Sequence, residues 1–422
     1  MPDTPSPAAP LPPRYDPYAA LRYPEFRALA FGAFLLSSGL LIQEVALAYE
    51  IYRVTHDPLS LGLIGLAEAV PFITLALIGG HLADRHEKRG IIRNAIAVMF
   101  AGSLLLAVLS WPSVRVHLGA AFWLLSAYGL VALVGFARGF YSPAASSLRA
   151  FLVPREIYGN SATWWSTLFQ TGAIVGPVTA GFLYAFGGLY GTLAIVVGMF
   201  TVSLVLISFV RPRPVVPNPN AGNLWASLRE GVSYVFNTRI ILYAISLDMF
   251  SVLFGGVVAL LPVYAEDILK VGPEGLGVLR AAPAIGALLT VLWCAYHPPL
   301  SRPWRNLLLA VFGFGFATLV FAVSKLFWLS IVALFFTGAC DSISVVIRNT
   351  VMQVVPPDHL RGRVQAVNSI FVSSSNELGA FESGLAAKLL GTVPSVIAGA
   401  VVTWGVVGWM WRRSKELFTV RL

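Results

Sequence analysis

Stretches of about 20 apolar residues recur along almost the whole chain, and nothing else in the sequence restricts its fold as far. They cover 29–52, 59–82, 91–111, 118–141, 161–186, 189–210, 240–264, 275–296, 306–323, 327–351, 364–390 and 393–411. A helix needs about 20 such residues to cross the hydrocarbon core of a bilayer. In lipid, every backbone N–H and C=O must be satisfied within the segment, so each run is read as a helix. The expected fold is an all-α membrane protein with twelve transmembrane helices. Of the 422 residues, 57% are hydrophobic and 12% charged. Soluble domains carry about a quarter charged residues. A soluble enzyme, a nucleic-acid binder and a disordered chain are therefore excluded.

The formal net charge is +9, and its distribution sets an orientation. With the N-terminus in the cytoplasm, about 21 of the 29 Lys and Arg residues fall on the inner side. The outer loops and rims hold Arg53, Arg115, Lys270, Lys325 and Lys388. Both termini inside requires an even number of spans, and a cell inner membrane location is expected. Residues 1–23 are Pro-rich with no apolar core, and are read as a disordered cytoplasmic tail rather than a signal peptide. Residues 211–238 hold RPRPVVPNPNAG and then the amphipathic LWASLREGVSYVF. They form a cytoplasmic linker between an N-terminal half, 24–210, and a C-terminal half, 239–411, with a cytoplasmic tail at 412–422. Cys294 and Cys340 sit in apolar runs without metal-ligand spacing, and neither do the histidines have it. No metal, no cofactor and no catalytic constellation is expected.

The halves echo each other. Pro154 and Pro357, Gly159 and Gly362, Gly176 and Gly379, Gly181 and Gly384, and Gly188 and Gly391 are each 203 positions apart. One register shared by five pairs points to duplication and to two pseudo-symmetric six-helix halves.

Two segments then match a known pattern. Gly80-His81-Leu82-Ala83-Asp84-Arg85-His86-Glu87-Lys88-Arg89 resembles the loop signature of the major facilitator superfamily, with Glu87 in place of a Gly. Gly172-Ala173-Ile174-Val175-Gly176-Pro177-Val178-Thr179-Ala180-Gly181 resembles the antiporter signature of its exporters, with Ala180 in place of a Gly. Small residues there permit close helix contact, and Pro177 frees a carbonyl. The stretches FRALAFGAFLLSSG, YEIYRVTHDPLSLGLIGLAEAVP and RGRVQAVNSIFVSSSNELGAFESG are similar to the enterobactin-exporter-like branch, which includes siderophore exporters and drug effluxers. The resemblance implies the major facilitator fold, a monomer, and proton-driven export of small amphiphilic molecules by alternating access. It implies a conformational gate formed by Gly80, Asp84, Arg85, Lys88, Arg89, Gly172, Gly176, Pro177 and Gly181. It also implies that spans one, four, seven and ten line a cavity, while two, five, eight and eleven join the halves. Lysophospholipid flippases are a neighbouring group, and a flippase on the same fold stays open as the alternative.

Ionisable groups inside spans are costly and are functional candidates by default. Glu44, Glu68, Asp248, Asp341, Glu377 and Glu382 are candidates for proton coupling, with Asp248 preferred because its span lines the cavity. Its alternative is a structural carboxylate bonded to Ser246, Ser251 or an arginine. Arg138, Arg280 and Arg348 are candidates for charge pairs or substrate contacts. Asp341 and Arg348 share a helix face but lie about 10 Å apart along it, too far to pair. Arg138 occupies the position equivalent to Asp341, so the two are candidates for a pair across the cavity. Glu68 and Glu377 face each other in the resembled fold and are candidates to share a proton. Glu50 and Arg53 fall near the outer end, where a gate is expected. Trp164, Trp165, Phe169, Tyr243 and Phe250 are candidates for aromatic cavity walls. The expected partners are a small-molecule substrate and membrane lipid.

Overall fold

The computed structural model describes residues 16–213 and 224–419, with side chains at 76–78, 80, 81, 83, 84, 224–228, 358 and 359 outside the description. Twelve helices cross the bundle. They are α1 (Pro24–Thr55), α2 (Pro58–Arg85), α3 (Lys88–Leu109) and α4 (Ala120–Arg149), then a long run, Tyr158–Ser208, divided at Gly188 into α5 (158–187) and α6 (189–208). The second half continues with α7 (Arg239–Ile268), α8 (Gly272–Tyr296), α9 (Pro303–Val323), α10 (Phe327–Val354), α11 (Asp358–Leu390) and α12 (Thr392–Arg413). The amphipathic linker segment is helical over Leu224–Asn237.

Local chemistry sets many of these boundaries. Pro24, Pro58 and Pro303 open their helices, where no N–H bond is lost. The Asp57 carboxylate caps α2 by accepting from Leu59 N at 3.0 Å. Gly188 (φ 60°) and Gly391 (φ 91°) turn the chain between α5 and α6 and between α11 and α12, in a conformation that Cβ-bearing residues resist. These two are among the pairs spaced 203 apart. The duplicated register is therefore a duplicated turn.

Ten described segments are long and apolar enough to span a membrane. One of them contains both α5 and α6. The span outside that set is α11, whose Asn376, Glu377, Glu382 and Lys388 dilute its hydropathy. Helices α4 and α11 also extend beyond the apolar runs, to Arg149 and from Asp358. Hydropathy marks where lipid begins, whereas a helix continues past that edge until its backbone is capped.

Packing repeats between the halves. Helix α2 packs on α4, and α3 on α4 and α6; equivalently α8 packs on α10, and α9 on α10 and α12. The halves meet through α2 with α11 and α5 with α8. Both seams are built on glycine. A Cβ on Gly384 would stand 2.8 Å from the Pro58 carbonyl oxygen and 3.0 Å from Gly62 N. A Cβ on Gly277 would stand 2.6 Å from the Pro177 carbonyl oxygen. Backbone cannot yield as a side-chain tip does. Gly277→Val is thus expected to push α5 and α8 apart by about 1 Å at the contact. Spin labels at His56 and Leu389 should report a longer distance across that end of the bundle. An unchanged distance would mean that the helices rotate rather than separate.

Candidate functional site

At mid-depth, the two halves enclose a cavity of about 400 Å³. Helix α1 contributes Glu44, α2 Glu68, α4 Arg138, α8 Arg280, α10 Asp341 and α11 Glu377. Six charged side chains at one interior space are far above what a bilayer-embedded core tolerates without reason. Glu68 is ion-paired with Arg138 inside the N-terminal half. Glu44 is ion-paired with Arg280 across the halves, and Arg280 also donates to the Val258 carbonyl oxygen at 3.3 Å. Among the described residues, Asp341 and Glu377 have neither a hydrogen bond nor an ion pair. Glu377 lies within electrostatic reach of Glu68, Glu44, Arg138 and Arg280. A Cβ on Gly65 would stand 3.4 Å from the Glu377 carboxylate, so that carboxylate lies against α2 one turn from Glu68.

A second recess, of about 250 Å³, adjoins the first and shares Arg138 with it. Phe34, Phe72, Tyr141, Trp165 and Phe169 line it. The Arg138 guanidinium lies 5.5 Å from the Phe72 ring centroid, and Arg149 lies 5.2 Å from the Trp165 ring. Phe169 is 55% exposed, and the lining comes from the parts of α1, α4 and α5 nearer the chain termini, so the recess lies towards the end of the bundle that carries them.

The opposite end is closed. Tyr49 and Tyr52, one turn apart on α1, donate to Glu266 and Asp267 at the end of α7. A π-helical turn over Tyr264–Ile268 sets those two acids side by side. Lys388 of α11 reaches Asp57 at 2.6 Å. Beside this seam the Glu50 carboxylate, 1% exposed, accepts from Tyr184 and pairs with Arg115 and Arg53.

Burial alone raises the Asp57 carboxyl, but the Lys388 ammonium and the Leu59 amide outweigh it and hold it below the usual aspartate range. The folded value is the lowered one. The pair's contribution is therefore fully present above the ordinary aspartate range, and is lost as pH falls through the folded value. Lys388→Gln should return the Asp57 titration, followed by NMR, towards its ordinary range. With so little burial the pair is worth no more than about 1 kcal/mol.

Several expected site residues lie elsewhere. Asp248 is not at the cavity. It is 4% exposed and ion-paired with Arg348, also 4% exposed, between α7 and α10. The structural alternative for Asp248 is the one observed. Arg138 pairs with Glu68 rather than Asp341, because α2 and α4 pack together within one half. Glu382 lines a narrow crevice beside Phe254 and Val396, away from the charged cavity. Tyr243 packs near Trp304 and Trp409, with ring centroids 6.2 and 6.5 Å away. Phe250 stacks on Phe254 at 6.4 Å, and Trp164 donates to the Pro17 carbonyl at 2.9 Å. None of these three lines either space.

In the signature loop, the side chains of Gly80 and Asp84 lie outside the described residues, and Arg85 is exposed. Arg89 donates to the Ser208 carbonyl at 3.0 Å, and Lys88 lies 5.2 Å from the Phe151 ring. Both contacts stay within the N-terminal half. Of the antiporter-like residues, Gly172 and Gly176 pack on Ser38 and Leu41 of α1, while Pro177 and Gly181 meet α8. The tyrosine–carboxylate contacts at the closed end had one sequence signal: adjacent acids, Glu266 and Asp267, directly after an apolar run.

The family model of the Major Facilitator Superfamily matches residues 29–380. The enterobactin exporter EntS of Shigella boydii serotype 18 is 26% identical over 383 residues, spanning 89% of this chain and 88% of that protein. Two solved structures share the fold. A mutant of the nucleoside transporter NupG aligns over 93% of this chain and 100% of its own, with TM-score 0.74 and 12% identity. A bacterial homolog of the human lysosomal transporter Spinster, inward-facing and unoccupied, aligns over 94% of this chain and 98% of its own, with TM-score 0.72 and 16% identity. The chain is a multi-pass membrane transporter that belongs to the major facilitator superfamily.

Proposed function

We propose that this protein is a proton-coupled exporter of small amphiphilic molecules, siderophore-like or drug-like, working by alternating access. The observation that carries the reading is the pair Asp341 and Glu377, two carboxyls in a cavity between the halves with no hydrogen bond or ion pair among the described residues. A coupling carboxyl must be shielded from bulk water yet reachable from each side in turn. Asp341 and Glu377 lie on half-buried positions of a cavity, whereas Asp248 is sealed beside Arg348.

The charge bias of the loops supports cytoplasmic termini and an inner-membrane location. On that orientation the open recess faces the cytoplasm and the tyrosine–carboxylate seam closes the outside, as suits a carrier ready to load substrate from within. Protons arriving at Asp341 and Glu377 from the outer side would then return the emptied carrier inward. The 26% identity to an enterobactin exporter supports the outward direction.

Purified protein in liposomes with an entrapped pH dye and an imposed pH gradient tests this. Catecholate siderophores, macrolides, cationic dyes and lysophospholipids are offered in turn. Proton movement evoked by one of the soluble amphiphiles is expected. Lysophospholipid crossing without any proton signal would replace the exporter with a lipid flippase.

A further inference from the structure

The charge count at the central cavity selects among ligands. Arg138 and Arg280 are each engaged by a carboxylate, Glu68 and Glu44. Each guanidinium therefore already has a carboxylate partner. Asp341 and Glu377 have no such partners among the described residues, and both face the cavity. Charges held away from water call for a counter-charge. When protons leave these two carboxyls, a guest with a negative group would add to the surplus, while a guest with a positive group would cancel it and take the protons' place.

The adjoining recess supplies the other half of the recognition. Phe34, Trp165 and Phe169 offer ring faces and edges over a space of about 250 Å³. Both spaces are lined by Arg138, so the carboxyls and the rings lie on two sides of one side chain. Their volumes, about 400 and 250 Å³, together match a site for a drug-sized ligand.

We propose that the protein binds organic cations with a flat aromatic body. The amine, guanidine or quaternary group sits between Asp341 and Glu377, and the ring system lies among Phe34, Trp165 and Phe169. The inference rests on the transport reading and narrows its substrate: a catecholate acid is the wrong charge for this cavity.

The full-length protein in detergent is titrated with ethidium, a planar cation, and with fluorescein, a planar anion of similar size, each followed by fluorescence anisotropy. Ethidium is expected to bind saturably and at least about tenfold more tightly than fluorescein. Asp341→Asn combined with Glu377→Gln should weaken ethidium by at least about tenfold. Phe169→Ala, at an exposed position that puts little folding at risk, should also weaken it. Equal or tighter binding of fluorescein to the wild-type protein overturns the proposal, whether or not the double variant folds. So does a folded double variant that keeps its ethidium affinity. Binding needs no gradient. A protein that binds ethidium yet drives no proton exchange loses the transport reading alone. One that exchanges protons for a catecholate and ignores ethidium loses this proposal alone.

Discussion

Asp248→Ala is expected to destabilise the folded bundle by about 3–5 kcal/mol, because it strands the Arg348 guanidinium where only 4% of that residue is exposed. Arg348→Met should be similarly harmful, since it leaves an uncompensated buried carboxylate. The double replacement, Asp248→Leu with Arg348→Met, should recover most of the loss, as apolar substitutes for a buried pair commonly do. Thermal unfolding of the purified variants measures all three. A single variant that unfolds at the wild-type temperature would show that the pair carries no structural weight, and would reopen Asp248 as a coupling group. Transport lost together with stability is the pattern this geometry requires.

The second large effect belongs to the cavity. Asp341→Asn and Glu377→Gln should each diminish substrate-evoked proton movement in liposomes, and the double variant should fall to the level of protein-free vesicles. Neither change strands a partner, so unfolding should shift by no more than about 1 kcal/mol. Stability is thus the control that separates these two positions from Asp248. Full coupling in the double variant would remove both carboxyls from the mechanism and leave the Glu68–Arg138 and Glu44–Arg280 pairs as the remaining titratable groups of the cavity.

The span count was legible because hydrophobic length in a bilayer has one structural solution per segment. The run at 364–390 was read as a span by its length, although its polar residues keep α11 below the hydropathy of the other spans. The duplicated register was legible because Gly188 and Gly391 must both turn the chain with positive φ, a constraint on residue type that survives in the text of the sequence. Pairing between charges was not. Asp248 and Arg348 lie on different helices, as do Glu44 and Arg280, and which faces meet depends on rotations that no periodicity encodes. Small shifts in rotation moved Tyr243 against Trp304 and placed Trp165, but not its neighbour Trp164, at the recess. The symmetry argument failed for Arg138 and Asp341 for a related reason. Equivalent positions in two halves share a depth, yet Arg138 had a closer acid on α2 within its own half.

The pair Glu44 and Arg280 has a consequence for energy wasting. A carrier that swings freely while empty leaks its driving ion and returns nothing. Here α1 and α8 cannot part at mid-depth without pulling a carboxylate from a guanidinium that is only 14% exposed. In the proposed alternating-access cycle that cost would fall on every unloaded swing, and a guest or a proton that offers either group a new partner would lower it. One ion pair placed across the boundary between the halves would thereby act against futile slippage in that cycle.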